Sequence, residues 1–343
     1  MLAAGIVINS RDIDPPMAYL LEQGFRVEQI FPADSPRMAT LSGHGCRVHL
    51  ETAADAHVDT VIRLVSDEIV EPRVDRLADG TTIEWRPARE QLVLPPLVSN
   101  FALTGPTDGW HVGRAGMEYR DLVPDRQGGS VIASHIRIPT AGPVPDYVHF
   151  HDVVFQLIFC HKGWVKVVYE DQGEPFVLAA GDCVIQPPQI RHRVLESSEN
   201  MHVVELGYPA EHVTFADPAT RLPTAVRRPD RQWSGQHFVH FVASEAEWTD
   251  KGRGWTAADT GIRRGTAGVA DVMVHRLENA TAKIAAVAPK EFRFVFVLDG
   301  RGSGSVESRP VDLVESTALV VPVGASAEFT GTLTLLDVSI PTL

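Results

Sequence analysis

The strongest constraint on how this chain folds is that one β-rich pattern is written in it twice. Laid over one another, "FQLIFCHKGWVKVVYE" (Phe155 to Glu170) and "FRFVFVLDGRGSGSVE" (Phe292 to Glu307) bring Phe, Gly and Glu into coincidence at a constant offset of 137. Further on, Leu178 meets Leu313 and Pro187 meets Pro322 at an offset of 135. Self-similarity at a near-constant offset marks a duplicated structural unit, so both copies must fold alike. Each copy consists of short strand-like runs, such as "SVIASHIRIP", "WVKVVYE" and "MHVVELG" in the first. Turn residues recur about every 8 to 12 positions, the spacing of an all-β sandwich or barrel.

The remainder of the chain is long enough for further structure, since 343 residues accommodate about two or three domains. A formal charge of −13 opposes binding to a phosphate backbone, which Lys and Arg dominate, and points to a small-molecule partner and no nucleic acid. The apolar runs fall short of the roughly 20 residues needed to span a bilayer, so no membrane partner is expected. The amino terminus has no basic stretch ahead of its short apolar run, which does not fit a secretory signal; a cytoplasmic location is expected. Cys46, Cys160 and Cys183 are odd in number and lack redox or metal-finger spacing, as befits reduced thiols.

At the amino terminus, "GIVIN" reads as a strand, followed by a helix that Asp14 caps, with prolines in its first turn and Gly24 at its end. Three strand-like stretches follow, "RVEQIFP", "RMATLSG" and "CRVHLET", giving a βαβββ order through about Glu51, with helical or irregular sequence on to about Glu90. This order resembles half of a vicinal-oxygen-chelate (glyoxalase-like) domain. In that family metal ligands lie on the first strand and at the end of a late strand. Glu51 matches the second position, but Gly5 to Asn9 offer no ligand for the first. The resemblance therefore implies a structural or dimer-forming role, with a homodimer as the expected assembly.

The chemistry is concentrated in "DYVHFHDVVFQLIFCHKG", Asp146 to Gly163. Residues two apart on a strand share a face, so Tyr147, His149 and His151 point one way, as do Val154, Gln156 and Ile158 on the next strand. "GDCVIQPPQIRHRVLE" supplies a strand, a turn at Pro187 and Pro188, and a returning strand that carries His192. Three imidazoles and an amide can then converge inside a barrel, where unpartnered polar groups would be costly.

His149, His151, position 156 and Gly163, then Gly181, Pro187 and His192, resemble the two signature motifs of the cupin superfamily. The resemblance implies a mainly β fold of two cupin (jelly-roll) barrels preceded by a small α/β, βαβββ-like domain. The expected divisions are 1–90 for that domain, 91–128 for a Pro- and Gly-rich connecting arm, 129–220 for a metal-binding barrel and 221–343 for a metal-free barrel. It also implies one divalent transition metal, Fe, Zn or Ni, held by His149, His151, Gln156 and His192. Gln156 stands where the family usually has Glu, which leaves four neutral ligands and a fully charged ion suited to an anionic oxygen substrate. Glu196 stands where Asn is frequent. Counted along a regular strand it faces the His192 cavity, as a general base or a carboxylate ligand.

Tyr147 lies on the ligand face as a second group able to move a proton. Arg137 and Arg191 are candidates to anchor a substrate carboxylate bidentately. His161, beside the turn at Gly163, reads as solvent-exposed, "EDQGE" (Glu170 to Glu174) as a solvated hairpin and "RPDRQ" around Arg231 as a linker. In the second copy the four ligand positions become Ala286, Ala288, Arg293 and Ala327, so that barrel should bind no metal.

Three functions fit. The first is a dioxygenase acting on a small phenolic, enolic or diketone anion. The second is a redox-neutral cyclase, isomerase or lyase using Zn or Ni. The third is a metal-dependent ligand-binding module without catalysis.

Overall fold

A computed structural model describes residues 3–54, 61–76, 82–89, 91–107, 109–113, 116–286 and 291–341. The chain forms two compact units. One comprises Met1–Val93, His149–Asp152 and Glu211–Ala219; the other comprises Leu94–Val148, Val153–Ala210 and Thr220–Leu343. Among the described residues no helix is long and apolar enough to cross a membrane.

The first unit begins with the strand Ala3–Ser10, the helix Asp14–Glu22 and the strands Arg26–Phe31, Met38–Gly43 and Cys46–Thr52. The helix opens on Pro15 and Pro16, where a missing N–H costs nothing. Asp14 lies inside the first turn and does not cap it. Asp12 accepts its amide at 3.0 Å, so the signal was real but sits two residues earlier. Ala3–Ser10 runs parallel to Cys46–Thr52, and Ile13, Ile30, Leu41, Val48 and Leu50 form the core beneath.

Beyond Glu51, where helical or irregular structure was expected, the chain forms three more strands: Val61–Ser66, Arg73–Arg76 and Thr82–Pro87. The open edge of Ala3–Ser10 pairs with Val61–Ser66, and its backbone groups offer a ladder that local propensity does not reveal. This pairing also settles Glu51. Its carboxylate meets Arg63 at 2.6 Å, and the same guanidinium meets Glu84 at 2.6 Å. Glu51 is thus one half of an ion pair to a buried arginine. The strand His149–His151 pairs within this unit with Thr214–Ala216, which in turn pairs with Arg26–Phe31.

In the second unit, the duplication is visible in the registers. Leu157 pairs with Ile185 and Phe159 with Cys183; in the second copy Phe294 pairs with Val320 and Phe296 with Ala318. These are the sequence offsets of 137 and 135, realised as backbone pairs. On one face of the first strand Phe155, Leu157 and Phe159 pack with their counterparts Phe292, Phe294 and Phe296 in a common core. On the other face, Ile158 and Cys160 join the apolar interior of the first copy, and Val295 and Val297 that of the second. Both strands are therefore buried on both faces, which is why they read as near-continuous apolar runs.

The expected connecting arm is more than a connector. Ala102–Thr104 adds a strand to the edge of the second copy, and Glu118–Asp121 adds one to the first. The strand Cys183–Ile185 of the first copy pairs with His240–Phe241, beyond the expected boundary. The acidic run and the "RPDRQ" segment also depart from expectation. Arg231 binds Glu170 at 2.8 Å and the buried Asp171 at 2.7 Å, and its guanidinium lies over Trp233. The three cysteines are free thiols, and burial pushes the Cys160 pKa up to about 12.

Arg63→Ala should leave Glu51 and Glu84 facing each other in a largely buried site. The expected loss is about 3–5 kcal/mol of stability, measured by urea unfolding. A loss below about 1 kcal/mol would show that the pair is solvated.

Candidate metal centre

The strand His149–His151 places its two imidazoles on one side and Phe150 on the other, where Phe150 stacks on Phe215 at 5.1 Å. Ring nitrogens of His149, His151 and His192 all lie within 4.8 Å of one another, and all three side chains are buried. Two of the rings, His192 and His151, are held from behind. The carbonyl of Ile190 takes the Nδ1–H of His192 at 3.0 Å, which makes Nε2 the ring's lone-pair nitrogen. Nδ1 of His151 is 2.8 Å from the Thr214 hydroxyl, which can hold that ring in the same tautomer.

Gln156 is 1% exposed on the strand Phe155–Lys162. Its Nε2 donates to Glu205 Oε1 at 2.6 Å, while its own Oε1 is buried without a hydrogen-bond donor. A chain of contacts through Gln186 and Tyr169 links Gln156 to His192. Its backbone carbonyl accepts from the Gln186 amide, and the Gln186 side chain donates to the Tyr169 hydroxyl at 2.9 Å. The Tyr169 ring stacks on His192 at 5.6 Å. Tyr169 is fully buried, and that burial pushes its phenol pKa up; Gln186 opposes the shift while Glu205 and Asp146 add to it.

The residues fit a divalent transition ion. Three grouped imidazoles, two with oriented nitrogens, and a carbonyl oxygen left without a donor offer neutral N and O donors suited to Zn, Fe or Ni. An orphaned buried acceptor costs about 1–3 kcal/mol, which a bound cation would offset.

The other expected site residues fare differently. Glu196 does not face the cavity. The ladder between Trp164–Tyr169 and His192–Ser197 shifts register, so that Val167 faces Val194 while Lys166 faces Glu196. The extra residue, Leu195, is a β-bulge that reverses the alternation. Ser197 takes the inward place beside the buried Val165, and Glu196 shares the opposite side with Lys166. Arg137 also points away. Ile136 joins the interior of the first copy, and Arg137 alternates outward, where it pairs with Glu118 and covers Trp110 at 4.8 Å. Arg191 precedes His192, and its guanidinium donates to the Gln189 carbonyl at 3.2 Å. Tyr147 is half-buried in the irregular segment before His149.

Tyr169, Thr214 and Glu205 were missed by the sequence reading. The alternation Val165, Val167, Tyr169 signals that the tyrosine points inward, but nothing local ties it to His192. Thr214 and Glu205 carry no motif at all.

A second buried group, His135, His161 and His202, also brings ring nitrogens within 4.8 Å. His161 was expected in solvent, but it is buried against Phe296 at 5.2 Å, at a bulge between Cys160 and Lys162. Its Nε2 donates to the carbonyl of Leu298, its own counterpart at the offset of 137, which occupies a matching bulge. Arg120 decides what this cluster is. Its guanidinium donates to His135 Nδ1 at 2.9 Å and to the Ser316 carbonyl at 2.8 Å. An arginine can only donate, so neutral His135 carries its proton on Nε2. That nitrogen lies 3.0 Å from His202 Nδ1 and 3.4 Å from His161 Nδ1. To bind a metal, His135 would have to become an imidazolate. The group is a hydrogen-bonded network rather than a ligand set. Burial, then Arg120, lowers the His135 pKa to about 2; burial, then His161, lowers that of His202 to about 4.

No protein-family model matches the chain, and no curated protein does. Solved structures do. An oxalate decarboxylase from Bacillus subtilis, crystallised at pH 4.6, aligns with a TM-score of 0.52 at 12% identity, over 71% of this chain and 77% of that one. A salicylate 1,2-dioxygenase from Pseudaminobacter salicylatoxidans aligns with a TM-score of 0.51 at 15% identity, over 73% of this chain and 86% of that one. At such identities the likeness is one of fold. It agrees with the mainly β, duplicated cupin fold that the motifs and registers describe.

The histidine network should make the protein acid-sensitive. Each of these histidines is neutral when folded and binds a proton near pH 6.5 when unfolded, so the stability present above that pH is lost as pH falls towards the folded value. For His135 and His202 the loss between pH 7.5 and 5 is about 2 kcal/mol each. In urea titrations with chelator present, His202→Gln should remove about that much of the wild-type pH dependence. An unchanged dependence would mean that His202 titrates normally.

Proposed function

We propose that this protein is a metal-dependent enzyme of the cupin type, with one divalent transition ion on His149, His151, His192 and Gln156 and a small anionic oxygenated substrate. The observation that carries the reading is the conjunction of three buried, closely grouped imidazoles with a buried Gln156 carbonyl that has no donor. When bound, the ion would supply a Lewis-acidic centre, redox-active if it is iron, with no ligand charge to weaken its pull on a phenolate, enolate or diketone.

The chain's own contribution is orientation and exclusion of water. Ile190 and Thr214 hold His192 and His151, and Tyr169 backs His192 with an uncharged ring. Val165, Val167 and Leu178 keep that corner apolar. A dioxygenase is placed ahead of a cyclase, isomerase or lyase because the redox-neutral route loses one of its two expected proton-moving groups, with Tyr147 remaining. Glu196, the carboxylate expected for that role, lies on the other side of its strand. The proposal keeps a small molecule as partner, the cytoplasm as location and a structural or dimer-forming role for the N-terminal βαβββ segment.

Elemental analysis of protein purified without chelator should find about one metal equivalent per chain, lost in His149→Ala and His192→Ala and retained in His161→Ala. Oxygen uptake with phenolic and diketone substrates should track product formation. Turnover without oxygen uptake would transfer the assignment to the redox-neutral class. Absence of turnover with any substrate, despite bound metal, would favour the binding module.

A further inference from the structure

A glutamine amide has two chemically different ends, and which one a metal would meet depends on what holds the other. On the Phe155–Lys162 strand Gln156 pairs with Gly207, and Glu205 lies two residues before Gly207 on the neighbouring strand. The Glu205 carboxylate accepts from Gln156 Nε2 at 2.6 Å, and the Gln156 Oε1 is left buried without a donor. A carboxylate in its usual ionised form only accepts, so it selects the rotamer in which the amide nitrogen faces it and the oxygen faces away.

The second copy repeats this arrangement with one change. Arg293, the counterpart of Gln156, pairs with Ser339, and Asp337 lies two residues before Ser339. Arg293 donates to Asp337 at 2.6 and 3.0 Å and to the Ala285 carbonyl at 2.9 Å. Both copies thus set a donor on one strand against a carboxylate at the same diagonal position on the next. In the second, the positive charge belongs to the side chain itself. Around it, the counterparts of His149 and His192 are the buried Ala286 and Ala327; that of His151, Ala288, lies outside the described residues. In the first, the side chain presents an oxygen, and a positive charge would have to come from outside.

We propose that Glu205 is the positioning residue of the metal centre: by holding the Gln156 amide nitrogen, it turns the Gln156 oxygen towards the ion and places a carboxylate directly behind this neutral ligand. This rests on the reading of His149, His151, His192 and Gln156 as the ligand set. Outer-shell partners of this kind alter metal affinity by about 10- to 100-fold.

The test measures zinc or cobalt affinity of the full chain by competition with a chromophoric chelator, with thermal unfolding of the metal-free proteins alongside. Glu205→Gln, which no longer dictates the amide orientation, should weaken binding by about 10- to 100-fold while metal-free stability changes little. The exchanged pair Gln156→Glu with Glu205→Gln puts a carboxylate on the ligand and a donor behind it, and should bind within a few-fold of wild type. Wild-type affinity in Glu205→Gln, with binding lost in His192→Ala, would overturn the role of Glu205 and leave the metal centre standing. Metal retained in His192→Ala would overturn the centre itself. If Glu205→Gln does not fold, the exchanged pair decides: a folded protein that binds no metal would refute the assignment.

Discussion

The two strands Phe155–Lys162 and Phe292–Val306 are packed against one another through Phe155, Leu157, Phe159 and their counterparts, and most of what is distinctive in this protein depends on that shared core. A strand with one face committed to such a core turns its other face into a closed interior. In the first copy that interior receives Gln156, and in the second Arg293. Gln156 is shut off from bulk water and Arg293 largely so, and each finds its partners within the fold. Both find a carboxylate at the same diagonal position, and the two copies diverge only in what remains unsatisfied afterwards.

In the second copy nothing of that pair remains unsatisfied. Burial pushes the Asp337 carboxyl up, but His275 and Arg293 outweigh it and hold its pKa down. The neighbouring positions are alanines in an apolar cluster. In the first copy, the Gln156 oxygen is left without a donor, in a protein that brings three imidazoles together. The contrast between the two histidine groups follows the same logic. At His135 an arginine already occupies a lone pair and fixes where the proton sits, which makes that group self-sufficient. At His192 the backbone carbonyl of Ile190 takes the Nδ1 proton instead, so the lone pair sits on the opposite nitrogen. Three histidines close together are not in themselves a metal site; what their second nitrogens bind decides it.

β-Bulges separate the strand-counting arguments that hold from those that fail. Period-two alternation places His149 with His151, and Gln156 with Ile158, as counted. It fails at Glu196 because Leu195 is an inserted residue; a second bulge lies at His161, which was expected in solvent from the turn beside it. Nothing in "HRVLES" announces the first bulge. The second recurs at Leu298, so the irregularity belongs to the duplicated fold and serves the contact between the copies.

The duplication, the mainly β character and the spacing of His149, His151, Gln156 and His192 are properties of the sequence by itself, because each rests on local periodicity and on offsets that survive any packing. The neighbours of those residues are not. Glu205 behind Gln156, Thr214 behind His151, Tyr169 behind His192 and Arg120 behind His135 come from positions 15 to 63 residues away, brought together by sheet register. The direction of Glu196, the pairing of Glu51 with Arg63 and the strands after Val61 were likewise decided in three dimensions. Backbone ladders and buried charges choose partners by proximity, and proximity on a folded sheet is set by register rather than by the order of residues along the chain.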